Sequence, residues 1–211
     1  IFLPQMTRII EDGPEERRKY LDQTLSQANP GYLKALSNYQ RGISKRNALL
    51  KQLSERGGDE SQLNYWDQFI SENGAILIQA RLFLIDELGK IAARKHSELT
   101  MGEETLELVY QPSFNPWQKT TTRISNQETP NVDQPLAIEE INGDFQRTLL
   151  FRRRDEITRG VTTIGPHRDE LQFRSNGIDL GVYGSRGQIR TAVMSLKFAE
   201  MEWLEEKIDC D

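Results

Sequence analysis

The 211-residue chain has little of what several large protein classes require. Its single cysteine, Cys210, cannot close an internal disulfide, which excludes a disulfide-stapled scaffold and fits a reducing cytosol. Two histidines and that one cysteine offer no metal-ligand spacing, so no metal centre is expected. No uncharged apolar run approaches the ~18 residues of a membrane span, and no basic, apolar and small-residue leader opens the sequence. The formal net charge of -5 excludes a surface that grips nucleic acid everywhere. What remains is a soluble, cytoplasmic protein long enough for one good-sized core or two small ones.

The charge is unevenly spread. Residues 1–58 hold ten basic against six acidic side chains, which leaves all the negative excess to residues 59–211. Arg17, Arg18, Lys19, Arg41, Lys45, Arg46 and Lys51 fall in two neighbouring helical stretches, and clustered cations are what contacts to a DNA backbone need. A solvated face pairing with Glu15, Glu16 and Asp22 accounts equally well for any one of them. Arg152-Arg153-Arg154 is a second candidate cluster, with compensation of a helix end as its alternative. No strip of regularly alternating basic and aromatic residues suggests base stacking, which favours duplex backbone over stacked single strands.

Gly13-Pro14-Glu15-Glu16 reads as a helix start, with proline at the first position and acids in the first turn, and the helix should run to about Gln27. Asn29-Pro30 opens a second, whose stripe of Tyr32, Leu33, Leu36, Tyr39, Ile43, Leu49, Leu50 and Leu53 ends at Gly57-Gly58. A third covers Leu63 to Leu99, with an interruption expected at Asn73-Gly74. Leu106–Tyr110 alternates as a strand does, and Gln111–Pro135 has the composition of a loop. A helix over Leu136–Arg154, a short strand at Val161–Ile164, a hairpin about Asn176-Gly177 and a helix through Gly184–Lys207 complete the pattern. The chain opens at Ile1 without an initiator methionine, and we expect a fragment of a longer protein.

The segment most suggestive of chemistry is Gly184-Ser185-Arg186-Gly187-Gln188, placed between a hairpin and a helix. Its glycines allow close approach of backbone, Ser185 offers a hydroxyl, and the unpaired N–H groups of a helix start suit a phosphate. An ordinary glycine-rich turn with Ser185 as N-cap has the same spacing.

Two blocks of residues decide between them. Gly13–Asp22, continuing through Asn29-Pro30-Gly31-Tyr32-Leu33 to Lys45–Lys51, and Gly165-Pro166-His167-Arg168-Asp169-Glu170, continuing through Asn176-Gly177 and Tyr183–Gln188 to Glu200, resemble the RecF family of SMC-like ABC-type ATPases. Residues 59–157 share only its helical character. The resemblance implies an α/β fold, part of an ABC-type P-loop ATPase head with an inserted helical lobe. It divides the chain into the end of a core segment (1–12), a helical lobe (13–103) and the C-terminal part of the head (104–211), with the signature motif at 184–188.

The resemblance implies an ATP-dependent protein of DNA repair and replication. ATP with Mg²⁺ would join two copies on double-stranded DNA, beside recombination-mediator proteins of the same pathway and away from membranes. Ser185, Arg186, Gly187 and Gln188 would meet the nucleotide in trans, although Arg186 stands where the family has glutamine. Gln5, where an acid after the proline is more usual, is a candidate for sensing the terminal phosphate. Neither a Gly-x-x-x-x-Gly-Lys-Ser/Thr loop nor a strand-borne acid for Mg²⁺ is present, so no complete catalytic set is expected and the chain alone should not hydrolyse ATP. His167 invites a catalytic or metal reading, against which local hydrogen bonds or a place facing the dimer interface are favoured. A helical protein-interaction module without a nucleotide role, and an SMC-type cohesion or break-repair ATPase, are the rival readings; the long heptad coiled coils of the latter are absent.

Overall fold

The computed structural model describes residues 4–114 and 137–208. Most of the expected Gln111–Pro135 loop, together with Leu136 and Cys210, lies outside them. The architecture is α/β: long helices with one small antiparallel sheet. Among the described residues no helix is long and apolar enough to cross a membrane. The chain forms two compact units, one of residues 1–33, 80–111 and 169–211, the other of 34–79 and 112–168. This is a division by packing, whereas the segments 1–12, 13–103 and 104–211 are a division by resemblance.

The first unit opens with a 3₁₀ turn (Pro4–Thr7), the short helix α1 (Arg8–Glu11) and α2 (Pro14–Ala28), whose N1 proline gives up an N–H that no helix start could pair. Helix α3 (Pro30–Arg56) begins there, and α4 (Leu63–Leu99) contributes Ala80–Leu99. The sheet has the order β1 (Leu106–Gln111), β2 (Glu170–Ser175), β3 (Ile178–Asp179), with Leu106 opposite Ser175 and Gln111 opposite Glu170. Asn176 and Gly177 both have positive φ, 48° and 78°, as a two-residue turn with the right twist for a hairpin requires. Leu171, Phe173 and Ser175 point inward at the strand period of two. A short helix α6 (Leu180–Tyr183) then leads to α7 (Arg186–Ile208), which buries Ile189, Ala192, Val193, Leu196, Ala199 and Trp203 at helical spacing. Helix α2 packs on both β2 and α7.

The second unit holds most of α3, residues 63–79 of α4, and α5 (Ile138–Arg159). Leu50, Leu53 and Leu63 form one buried cluster with Leu49 and Ile157 against it. Two expectations fail here for identifiable reasons. Helix α4 runs unbroken for 37 residues through Asn73-Gly74. Gly74 marks close packing, since a Cβ there would stand 2.6 Å from the Phe145 ring and 3.1 Å from Tyr39. Val161–Ile164 is not a strand, because its polar groups are met by side chains instead of a ladder. Thr162 donates N–H and Oγ1 to Asn47 Oδ1 (2.8 and 2.7 Å), and Thr163 donates both to Glu156 Oε1 (2.6 and 2.9 Å).

Arg46 explains why those carboxylates are buried. Its guanidinium is 0% exposed and reaches Asp67 Oδ1 (2.7 Å), Glu156 Oε2 (2.7 Å) and Thr162 Oγ1 (2.9 Å). Arg153 adds a second cation on Asp67, 2.6 Å away. Removing one partner of such a cluster strands the others in low dielectric. Arg46→Ala is therefore expected to lower stability by about 3–5 kcal/mol in urea unfolding, while Lys45→Ala, on the exposed side of the same helix, should stay within about 0.5 kcal/mol of wild type.

Candidate functional site

The Gly184–Gln188 segment is exposed apart from the half-buried Gly184 and Gln188. Ser185 is the N-cap of α7: its Oγ accepts from the Gln188 N–H (3.2 Å), while Gln188 Oε1 accepts from the Ser185 N–H (3.0 Å). This reciprocal arrangement is a capping box. The N-cap reading and the phosphate reading thus apply to the same residue, for the box leaves the N–H groups of Arg186 and Gly187 without intrahelical partners at the positive end of a 23-residue helix. The Ser185 hydroxyl hydrogen is also left free by its acceptor role.

The two glycines differ in what demands them. At Gly184 a Cβ would lie 2.5 Å from the Leu180 carbonyl oxygen, so the chain's own packing excludes a side chain. At Gly187 it would meet nothing nearer than Ser185 Oγ at 3.8 Å. The space over Gly187 is not filled by any of the described residues.

Sequence reading missed the residues beneath the motif. Glu104, in the turn between α4 and β1, accepts from Gln188 Nε2 at 3.1 Å, and its other oxygen faces His96 Nε2 at 3.4 Å. His96 is fully buried on α4, with Nδ1 3.1 Å from Ser195 Oγ. Because the Ser195 hydroxyl donates to the Thr191 carbonyl (2.8 Å), Ser195 accepts here and His96 Nδ1 carries the hydrogen. The only sequence signal was a histidine on the apolar stripe of a long helix.

Three of the seven clustered cations proposed for DNA, Arg17, Arg18 and Arg46, are spent internally. Arg17 grips both Glu170 oxygens (2.7 and 3.2 Å) and the carbonyls of Ile10 and Asp12, tying α2 to β2. Arg18 donates to the Asp169 carbonyl (2.9 Å), with burial and the nearby Arg81 drawing its pKa down. Arg46 is interior and cannot meet a partner at the surface, a correction to its placement among the DNA candidates. Arg41, Lys45 and Lys51 are exposed along α3; Arg41 donates to Asn38 and Lys51 lies 3.8 Å from Glu55. Arg152 and Arg154 are exposed too, whereas Arg153 is committed to Asn64 and Asp67.

Gln5 is exposed in the Pro4–Thr7 turn and lines an open cleft of about 460 Å³ with Arg8, Glu16, Lys19, Tyr20 and Lys197 among its neighbours. His167 Nδ1 lies 2.8 Å from the hydroxyl of Tyr39, 128 residues away in sequence, and Nε2 lies 3.3 Å from the nearby Thr162 carbonyl. Gly165, at φ 114°, lets the chain pass the Tyr39 hydroxyl, which a Cβ would approach to 2.3 Å.

The chain is 39% identical over 208 residues to the DNA replication and repair protein RecF of Halothermothrix orenii, an alignment covering 98% of this chain and 52% of the relative. It is 36% identical over 211 residues to RecF of Acetivibrio thermocellus, covering 100% and 53%. The chain belongs to the RecF family. No family model matches it. Two solved structures of the recombination mediator protein RecF, described as RecF-ATPrS and RecF-ATP in the RecFOR pathway, superpose with TM-scores of 0.84 and 0.81 at 32% and 31% identity. They cover 98% and 99% of this chain, and 51% of each of those chains. The chain therefore spans about half the length of the curated relatives it matches, and its fold is part of an ABC ATPase head.

Burial pushes the His96 pKa below its ordinary value, with Glu104 opposing less strongly. A histidine held neutral contributes stability that is present above its unfolded-state pKa and lost as pH falls through the folded one. The melting temperature should therefore fall as pH drops from about 7 to about 5, and fall less steeply in His96→Asn. Equal slopes would show that His96 does not titrate in that interval.

Proposed function

We propose that this chain is the portion of a RecF-type ATPase that presents the signature segment to an ATP held by a second copy, so that ATP joins two heads on double-stranded DNA during recombinational repair. The observation that carries this reading is Gly187: an exposed glycine at a helix start that no packing among the described residues requires, under a space that none of them fills. The relatives' name as DNA replication and repair proteins, and the RecF-ATP description of one matched structure, support the nucleotide and the pathway.

A terminal phosphate at this segment would meet the Ser185 hydroxyl and the N–H groups of Arg186 and Gly187, in the field of the α7 dipole. Arg186, although not the family's glutamine, adds positive charge beside a polyanion. Gln188 would act indirectly, since both ends of its amide are engaged within the chain. The donors present suit phosphate and not a bare cation, so Mg²⁺ would come with the nucleotide. ATP hydrolysis would then belong to the whole protein, and recombination mediators would be its partners. Gln5 is kept as a candidate phosphate sensor on its exposure alone.

In the full-length protein, a dimer should form with ATP·Mg²⁺ but not with ADP or without nucleotide. Ser185→Arg should abolish it while each monomer still binds nucleotide. A solution mass indifferent to nucleotide and to this substitution would return the reading to a helical interaction module. For the DNA contact, replacing Arg41, Lys45 and Lys51 together by alanine should reduce the slope of log affinity against log salt by up to about 3 on duplex DNA. An unchanged slope would remove α3 from the DNA interface.

A further inference from the structure

We propose that Glu104 is a positioning residue for the signature segment, acting through Gln188; this rests on the reading of 184–188 as the part that meets a nucleotide in trans. A glutamine amide has a donating and an accepting end, and either can face a neighbour. The neighbour on one side here is a carboxylate, which only accepts. Glu104 Oε1 therefore faces Gln188 Nε2 (3.1 Å), and the opposite end, Oε1, is left to accept from the Ser185 N–H (3.0 Å). With the amide reversed, a donor would confront the Ser185 N–H and the capping box would open. Glu104 thus sets the polarity of the box, which leaves the Ser185 hydroxyl hydrogen and the Arg186 and Gly187 N–H groups for an incoming anion.

Glu104 is itself held at its carboxylate by Ser175 and at its backbone by Thr100. Ser175 Oγ, at the end of β2, donates to its Oε2 (3.3 Å), and His96 Nε2 stands 3.4 Å from the same oxygen. Its backbone is fixed to Thr100, whose Oγ1 lies 3.3 Å from both the Glu104 N and O atoms. Met101 and Gly102, at φ 55° and 81°, reverse the chain after α4 and bring the carboxylate back toward α7. Fixed support of this kind is what gives a binding segment a defined geometry.

The test uses the full-length protein and the concentration at which half of it is dimeric in ATP·Mg²⁺. Glu104→Ala should raise that concentration about tenfold, the size of effect expected for losing a hydrogen bond to a charged acceptor, with ATP affinity of the monomer unchanged. Glu104→Gln, whose carbonyl still accepts from Gln188, should stay within about threefold of wild type. Gln188→Glu sets two carboxylates together and should impair the dimer, and adding Glu104→Gln should restore it because the donor and acceptor are merely exchanged. This exchange keeps the question answerable if Glu104→Ala does not fold. Wild-type dimerisation of Glu104→Ala, or no restoration in the exchanged pair, would overturn the proposal while Ser185→Arg still abolishes the dimer. If Ser185→Arg also leaves the dimer intact, the signature reading fails and this proposal falls with it.

Discussion

A guanidinium cannot shed its proton, so one placed beyond the reach of water dictates what must surround it. Arg81 is such a group in the first unit, 2% exposed on α4. It donates to Asp22 Oδ1 (2.7 Å) and the Tyr32 hydroxyl (3.2 Å) and lies 3.9 Å from Asp169 Oδ2, which also accepts from the Tyr110 hydroxyl. The members of this network come from α2, α3, β1 and the residue that precedes β2. A single cation thereby specifies how four segments distant in sequence meet. Its surroundings hold its own pKa well above the ordinary value despite burial, and burial drives Tyr110 in the same direction.

That constraint reaches the candidate site along the chain. Asp169 is pinned to Arg81, and Glu170 beside it is pinned to Arg17, so the start of β2 is fixed twice. From there the register with β1, the two-residue turn and the short α6, capped by Asp179 on the Gly181 N–H, leave little freedom before Ser185. The support from Glu104 arrives from the other end of the same sheet, where Ser175 closes the β1–β2 ladder. The second unit repeats the device with Arg46, which shows buried charge organising each core instead of decorating its surface.

Local signals were legible where local physics decides. Pro14, Pro30 and Gly57-Gly58 bound their helices because proline and glycine act on their own backbone, and Asn176-Gly177 makes its turn for the same reason. Val161–Ile164 misled because its β-branched residues favour a strand, while Asn47, more than a hundred positions away, supplies the hydrogen bonds. Arg46 misled because charge suggested solvent, yet it lies on the stripe of Tyr39, Leu50 and Leu53, and its position at that spacing was the available warning. Of the site, the motif was readable and its support was not. Glu104 sits in a turn with no periodicity, and its partner is 84 residues away.

The contrast between Gly184 and Gly187 indicates what in the motif belongs to folding and what to recognition. Substituting Gly184 would be resisted by the Leu180 carbonyl whether or not any ligand exists. Among the described residues Gly187 meets no such internal enforcement. Ser185 and Gln188 stand between the two cases, since the capping box stabilises α7 and also orients the donors that box leaves unpaired. In this segment the physics of ending one element and starting another produces the anion-compatible geometry, and the missing side chain at Gly187 leaves room above it that the proposed nucleotide contact would use.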